Sequence, residues 1–104
     1  MVGIDITHIS RFENHLDLCI KILSSEEILE FNESHKQAQY LASHFALKEA
    51  FLKANKLGLG GIDLTKISIK HHRSGAPYIE VGGERFEDCS LSHDGDVVIA
   101  IVNI

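Results

Sequence analysis

The chain has no tryptophan, one proline, one methionine and two cysteines in 104 residues. Cys19 and Cys89 show neither a CxxC spacing nor a dense framework, so reduced, partly buried thiols are favoured over a disulfide scaffold or a zinc site. Basic residues are scarce as well. Ten Lys and Arg against fifteen Asp and Glu leave a formal net charge of −5, and no basic stripe runs along the chain. That argues against a nucleic-acid binder, and any acidic partner would need a local basic patch. No run of about 18 apolar residues occurs, and no charged segment followed by an apolar stretch opens the chain. No membrane partner is expected, and the expected location is cytoplasmic.

What is present suits one soluble domain over residues 1–104. The hydrophobic fraction of 44% and charged fraction of 24% are ordinary for a globular protein. A domain of this length buries roughly 60–70% of its unfolded surface, so further burial through oligomerisation would be unsurprising.

Residues 2–6 alternate, with Val2, Ile4 and Ile6 expected on the buried face of a strand and Gly3 and Asp5 on the other. Thr7 is expected to cap a helix of about three turns that carries Ile9, Phe12 and Leu16 inward and is interrupted by Glu13. Ser24, followed three positions later by Glu27, starts a second and shorter helix with Ile28, Leu29 and Phe31 to bury. The longest helical pattern covers about residues 36–55, free of Gly and Pro, and breaks at Gly58, Gly60 and Gly61. The period then changes. Strands are predicted around Ile67, at 78–81, 89–93 and 97–102, with a turn at Ser74-Gly75-Ala76-Pro77 and a hairpin at Asp94-Gly95-Asp96. The fold class is therefore α+β, an antiparallel sheet late in the chain packed against one long helix plus shorter ones.

At 100° per residue, Leu41, Ala42, Phe45, Ala46 and Leu52 share an arc of about 140° on the long helix, and Glu49 and Lys53 fall inside it. A carboxylate on a packing face is costly unless something positive compensates. Two readings stay open, a Glu49–Lys53 surface pair at the edge of that face or a functional acid. Asp5, at a predicted strand end, either helps Thr7 to cap or reaches a ligand. Two carboxylates without a His or Cys at metal spacing suit a hard cation. Magnesium typically takes one or two protein carboxylates, with waters and substrate phosphates supplying the rest. The glycine-rich break after Lys53 and Lys56 either ends the helix or offers backbone N–H groups to a phosphate. It is not a P-loop, since no Gly-Lys-Ser/Thr follows.

Gly3-Ile4-Asp5-Ile6 with Arg11, and then Phe45-Ala46-Leu47-Lys48-Glu49-Ala50-Phe51-Leu52-Lys53-Ala54 with the glycine loop, resemble the two signatures of the phosphopantetheinyl transferases, specifically the short holo-acyl-carrier-protein synthase group. Gly75-Ala76-Pro77 and Ser90-Leu91-Ser92-His93 resemble two weaker features of the same group, in the same order. The resemblance implies that the 4′-phosphopantetheine arm of coenzyme A moves to a serine of apo acyl carrier protein, releasing adenosine 3′,5′-bisphosphate. Asp5 and Glu49 resemble its magnesium ligands, with Lys53 beside them as catalytic residues. Lys48 and Lys53 resemble phosphate-contacting lysines, and Gly58, Gly60, Gly61, Pro77 and His93 are implied in holding coenzyme A. A metal-bound water or Glu49 itself would take the serine proton.

Arg11, with Lys21 nearby, is implied as the docking patch for the acidic carrier protein, and His93 has an alternative as a plain hairpin residue. The short group forms trimers with the active site between subunits, which suits the small core expected from length. This chain departs from the group at His44, where arginine is usual, so a phosphate contact there would be weaker and pH-dependent. Gly82-Gly83 stands where a longer helical stretch is usual. A catalytically silent protein of the same fold that binds coenzyme A or the carrier is the alternative; intact Asp5, Glu49 and Lys53 speak against it. A thioester hydrolase would not explain Lys48, Lys53 and the glycine loop together.

Overall fold

A computed structural model describes residues 1–56 and 61–104. Strand β1 (Val2–His8) leads through short 3-10 turns at Ile9–Phe12 and Leu16–Leu18 into α1 (Cys19–Ile22), α2 (Ser25–Glu33) and α3 (Gln37–Ala54). A further turn at Leu64–Lys66 precedes β2 (Ile67–His71), β3 (Pro77–Val81), β4 (Glu84–Phe86), β5 (Cys89–Asp94) and β6 (Val97–Asn103). The class is α+β, as expected.

The strands form two antiparallel sheets, ordered β1–β6–β5 and β2–β3–β4, where the sequence pointed to one continuous sheet. The split comes from Gly82 and Gly83. Both have positive φ, 57° and 85°, and make a primed two-residue turn that folds the unforeseen β4 back along β3. At the foreseen hairpin between β5 and β6, only Gly95 has positive φ, at 56°.

Helix α3 packs chiefly on β1 and β6, and Gly3 sets how closely. A Cβ at that position would overlap the backbone carbonyl of Ala50 and the amide of Ala54. Gly3, Asp5 and Thr7 therefore face the helix, and the expected polarity of β1 is reversed. Val2, Ile4 and Ile6 point outward, exposed by 57%, 56% and 61%. The core contribution expected of them comes from Val98, Ala100 and Val102 of β6, all fully buried. Asp5 sits in mid-strand, opposite Ala100, because β1 continues in register with β6 as far as His8–Val97. Thr7 is thus a buried strand residue and caps no helix; two 3-10 turns and the single turn α1 replace the expected three-turn helix.

The capping box before α2 is present. Ser24 N donates to Glu27 Oε1 at 2.8 Å, and Glu27 N to Ser24 Oγ at 3.4 Å. Phe31 goes inward from this helix, whereas Leu29 remains exposed. Glu27 does more than cap. Its Oε1 also accepts from Lys48 Nζ at 2.6 Å, and its Oε2 from the Ile69 amide at 2.9 Å. Lys48 completes its three donations at the carbonyls of Ile22 (2.7 Å) and Leu64 (3.0 Å). One carboxylate and one ammonium so join α2, α3, the end of α1, the turn before β2 and β2 itself. Clasped in this way, α3 is buried on most sides rather than along one arc.

Removing one member of a buried pair strands the other charge. Glu27→Ala should lower stability by about 3–5 kcal/mol in urea unfolding. Glu27→Leu with Lys48→Met should recover part of that loss, because the stranded ammonium is gone. Wild-type stability in the single variant would contradict this role for the pair.

Candidate active site

Asp5 on β1 and Lys53 in the last turn of α3 meet across the tight Gly3 contact. Lys53 Nζ lies 3.2 Å from Asp5 Oδ1 and donates to the Ile4 carbonyl at 3.0 Å. Thr7 Oγ1 donates to Asp5 Oδ2 at 2.8 Å, so each oxygen of the carboxylate has a partner from a different side. From the sequence Thr7 is expected only as a helix cap, not as a partner of the Asp5 carboxylate. A hydroxyl two residues from a strand acid shares its face, and that period-2 relation was the available signal.

Glu49 lies one helical turn before Lys53 and is only 7% exposed. The surface pair with Lys53 is not formed, since the lysine is engaged with Asp5 and Ile4. Glu49 Oε1 is buried and has no hydrogen-bond partner among the described residues. Burial, with the Asp5 charge adding to it, pushes the Glu49 carboxyl above the usual range; Lys53 and Arg11 pull the other way. Arg11, in the turn after β1, lays its guanidinium over Phe45, 5.0 Å from the ring centroid, and over Phe12 at 5.6 Å. Asp5, Glu49, Lys53 and Arg11 thus form one neighbourhood of alternating charge. A cavity of about 350 Å³ opens beside it, lined by Ile4, Asp5, Ile6, Lys53 and Ile99.

The other expected contacts are arranged differently. Lys48 is fully buried, and all three of its ammonium donations are accounted for within the fold, so the phosphate contact expected of it is corrected. Burial holds its ammonium below the usual lysine range, against the opposing pull of Glu27. His44 is also buried. Its Nδ1 lies 2.7 Å from the Tyr40 carbonyl, its ring stacks on Tyr40, and its Nε2 is directed at Glu27 at 3.6 Å. Desolvation holds this imidazole below the usual histidine range. A ring turned inward, with Nδ1 on the Tyr40 carbonyl and Nε2 toward Glu27, is not placed to grip a phosphate, which corrects that expectation.

His44 borders a second cavity, of about 270 Å³, together with Lys36, Tyr40, Ser43, His71 and Leu91. Pro77 stands opposite His71 in the second sheet. Five residues along a helix are about 7.5 Å and 140° of rotation, so His44 and Glu49 look to different sides of α3. His93 pairs with Val98, which pairs with Thr7, and the three form one cross-strand row on the face that carries Asp5. At about 4.8 Å per strand, His93 stands roughly 10 Å from Thr7. Arg11 and Lys21 are both exposed, Lys21 in α1. Gly61 is exposed, while Gly58 and Gly60 lie outside the described residues.

A hard cation fits the first group. Glu49 offers a buried oxygen without a partner, and Asp5 stands near enough to act on its charge. Among the described residues no cluster of three or more His, Cys, Asp or Glu side chains occurs. Two carboxylates are nonetheless the protein share typical of magnesium sites completed by waters and phosphates. Also among the described residues, no helix is long and apolar enough to cross a membrane.

Comparison with known proteins gives consistent matches. Residues 1–102 match the family model of the 4′-phosphopantetheinyl transferase superfamily. A holo-[acyl-carrier-protein] synthase of Treponema pallidum is 38% identical over 117 aligned positions, covering 99% of this chain and 93% of the relative. The crystal structure of the Neisseria meningitidis holo-[acyl-carrier-protein] synthase superposes with a TM-score of 0.86 at 32% identity, covering 97% of this chain and 94% of that one. The Helicobacter pylori synthase in complex with coenzyme A gives 0.84 at 30% identity, covering 99% and 98%.

The Glu49 carboxyl supplies a test. Its affinity for protons is higher folded than unfolded, so the folded state keeps the proton longer. Stability should therefore fall as pH rises above the ordinary value of 4.5 and level off once the folded group has ionised. Glu49→Gln escapes that loss. In metal-free buffer it should match wild type near pH 4 and melt at a higher temperature at pH 8. Magnesium with coenzyme A should raise the melting temperature of wild type more than that of the variant. Identical pH profiles would show that ionising Glu49 costs the fold nothing.

Proposed function

The chain belongs to the 4′-phosphopantetheinyl transferase superfamily, and from that membership we propose that it moves the 4′-phosphopantetheine arm of coenzyme A to a serine of apo acyl carrier protein, releasing adenosine 3′,5′-bisphosphate. Its relatives carry the name holo-[acyl-carrier-protein] synthase, and one has been solved with coenzyme A. The observation that carries the reading is the partnerless buried oxygen of Glu49, on a carboxyl near enough to feel the charge of Asp5, which Thr7 and Lys53 hold from two sides. We read the enzyme as one cytoplasmic domain over residues 1–104.

Asp5 and Glu49 would hold magnesium. When bound, the ion supplies charge neutralisation at the pyrophosphate and a template for the leaving group. The residues of the chain do the rest. Lys53, its side chain 54% exposed, can keep its contact to Asp5 while turning an N–H toward a phosphate oxygen. Thr7 fixes the orientation of the Asp5 carboxylate. Arg11 is exposed beside the acids and offers its guanidinium to an acidic carrier protein, with Lys21 as a second basic group. His93, Pro77 and the glycine segment that includes Gly61 are read as further coenzyme A contacts.

The active enzyme is read as a homotrimer. The outward face of β1 and β6 supports this: Ile4 stands opposite Ile101 and Ile6 opposite Ile99, a solvent-facing apolar ladder continuous with the cavity beside Asp5 and Lys53. The His44 and Pro77 region, turned away from Glu49 within one chain, fits a site completed by a neighbouring subunit.

Transfer is tested by mixing the protein with coenzyme A, magnesium and apo acyl carrier protein and weighing the carrier by mass spectrometry. A carrier of unchanged mass, where a known transferase works, would sink the proposal. Glu49→Gln should reduce the rate at least about 100-fold with the fold retained, since the isostere lacks the charge a metal ligand needs. For the assembly, Ile101→Glu should convert the trimer to monomer in sedimentation equilibrium. A trimer that survives this change would not be built on the apolar ladder.

A further inference from the structure

The turn just after β1 is fixed in the core at its far end by Phe12, 1% exposed, but its N-terminal end has no local cap. The 3-10 turn at Ile9–Phe12 follows His8, whose side chain makes no capping bond. Its leading N–H groups still require acceptors. Asp96, at the tip of the β5–β6 hairpin and 86 residues away from Ser10, provides them. Ser10 N donates to Asp96 Oδ1 at 2.8 Å, Ser10 Oγ to Oδ2 at 2.6 Å, and Ile9 N to the Asp96 carbonyl at 2.7 Å. All three acceptor atoms of one residue are directed at a single dipeptide. Among the described residues, the Asp96 carboxylate makes no other hydrogen bond.

Asp96 is itself held firmly. The pairs Asp94–Val97 and His8–Val97 fix the hairpin tip in the sheet from both sides, and Gly95 with φ 56° allows the tight loop. The two donations from Ser10 hold its carboxyl below the usual aspartate range, with His8 adding in the same direction, so the acceptor stays charged at neutral pH. Hydrogen bonds to an ionised acceptor are the stronger kind.

The next residue is Arg11. Its guanidinium lies over Phe45 and Phe12, and its charge reaches Glu49. Where that guanidinium points depends on the direction of the short turn carrying it, and a four-residue turn has little internal hydrogen bonding with which to hold a direction.

We propose that Asp96 is a positioning residue for carrier-protein docking: its carboxylate clamps Ser10 and thereby holds Arg11 in the orientation the acidic carrier meets. The proposal rests on the transferase reading above and on Arg11 as the docking residue. It assigns Asp96 no contact with either substrate.

Asp96→Ala tests it by steady-state transfer and by amide hydrogen exchange. The KM for carrier protein should rise about tenfold, with kcat and the KM for coenzyme A within about twofold of wild type. In an Arg11→Ala background, Asp96→Ala should add no further rise, because its effect runs through that arginine. Ser10→Thr keeps both donors and should stay within about twofold of wild type. Exchange at the Ser10 and Arg11 amides should quicken about tenfold in Asp96→Ala while the amides of α3 keep their rates. Equal rises in both KM values, full additivity with Arg11→Ala, or unchanged exchange would each overturn the clamp. A wild-type chain with no transfer overturns the functional reading and this one together, whereas a working wild type with an unmoved carrier KM in the variant overturns this one alone.

Discussion

The buried pair of Glu27 and Lys48 is the constraint on which the arrangement of this protein turns. A fully buried ammonium leaves water only when all its donors are met, and here a carboxylate and two backbone carbonyls meet them. Those partners come from α1, α2 and the turn before β2, so the rotation of α3 about its own axis is fixed. With Lys48 pointing into that cluster, its neighbour Glu49 must project about 100° further round the helix. That direction is toward β1 and Asp5. The lysine expected to touch a phosphate is instead a structural anchor that sets the direction of the acid next to it.

Local relations were legible in the sequence. The Ser24–Glu27 capping box, the Asp94-Gly95 turn and the extent of α3 each depend on residues within a few positions of one another, and all three are present. Long-range relations were not. Lys48 meets Glu27 across 21 residues, and nothing in either neighbourhood announces the other. Alternation in β1 revealed its period correctly but not which side would face inward, because an apolar set is as compatible with a subunit interface as with a core. The deciding residue was Gly3, whose missing side chain lets α3 approach. The division into two sheets was hidden for a similar reason, since Gly82-Gly83 reads as a turn without saying to which strand the chain returns. Of the candidate site, Asp5, Glu49 and Lys53 are singled out by their sequence context and the fold brings them near one another, whereas the Thr7 bond to Asp5 and the inward turn of His44 depend on the assembled fold.

Stability alone does not account for the two acids. Glu49 is buried against the interest of the fold, with an oxygen that finds no donor, while Asp5 beside it is supplied by both Thr7 and Lys53. A fold selected for stability alone would place a neutral or apolar side chain at 49, on a helix whose neighbours Leu47, Ala50, Phe51 and Leu52 are all buried. The asymmetry is informative because the two acids are not equivalent: one is already oriented, the other holds a lone pair in reserve. On the proposed reading, a cation held by the two acids would relieve Glu49, while Lys53, with one N–H left over from Asp5 and Ile4, would offer it to a phosphate without leaving Asp5.

Strand β1 shows why so short a chain can carry this arrangement. Its period of two divides seven residues between two faces: Gly3, Asp5 and Thr7 face α3 and the candidate site, while Val2, Ile4, Ile6 and His8 face outward, the isoleucines alongside Ile99 and Ile101. The faces are coupled through the backbone, since Lys53 donates to the carbonyl of Ile4, a residue of the apolar ladder, as well as to Asp5. One ammonium group thus ties the backbone of the outer face to the inner carboxylate. A subunit seated on the isoleucines would hold Ile4 in place and, through Lys53, steady Asp5. The candidate site and the apolar face proposed for assembly are thus two sides of one strand, and the same Gly3 contact that turns the acid inward leaves the apolar ladder outside.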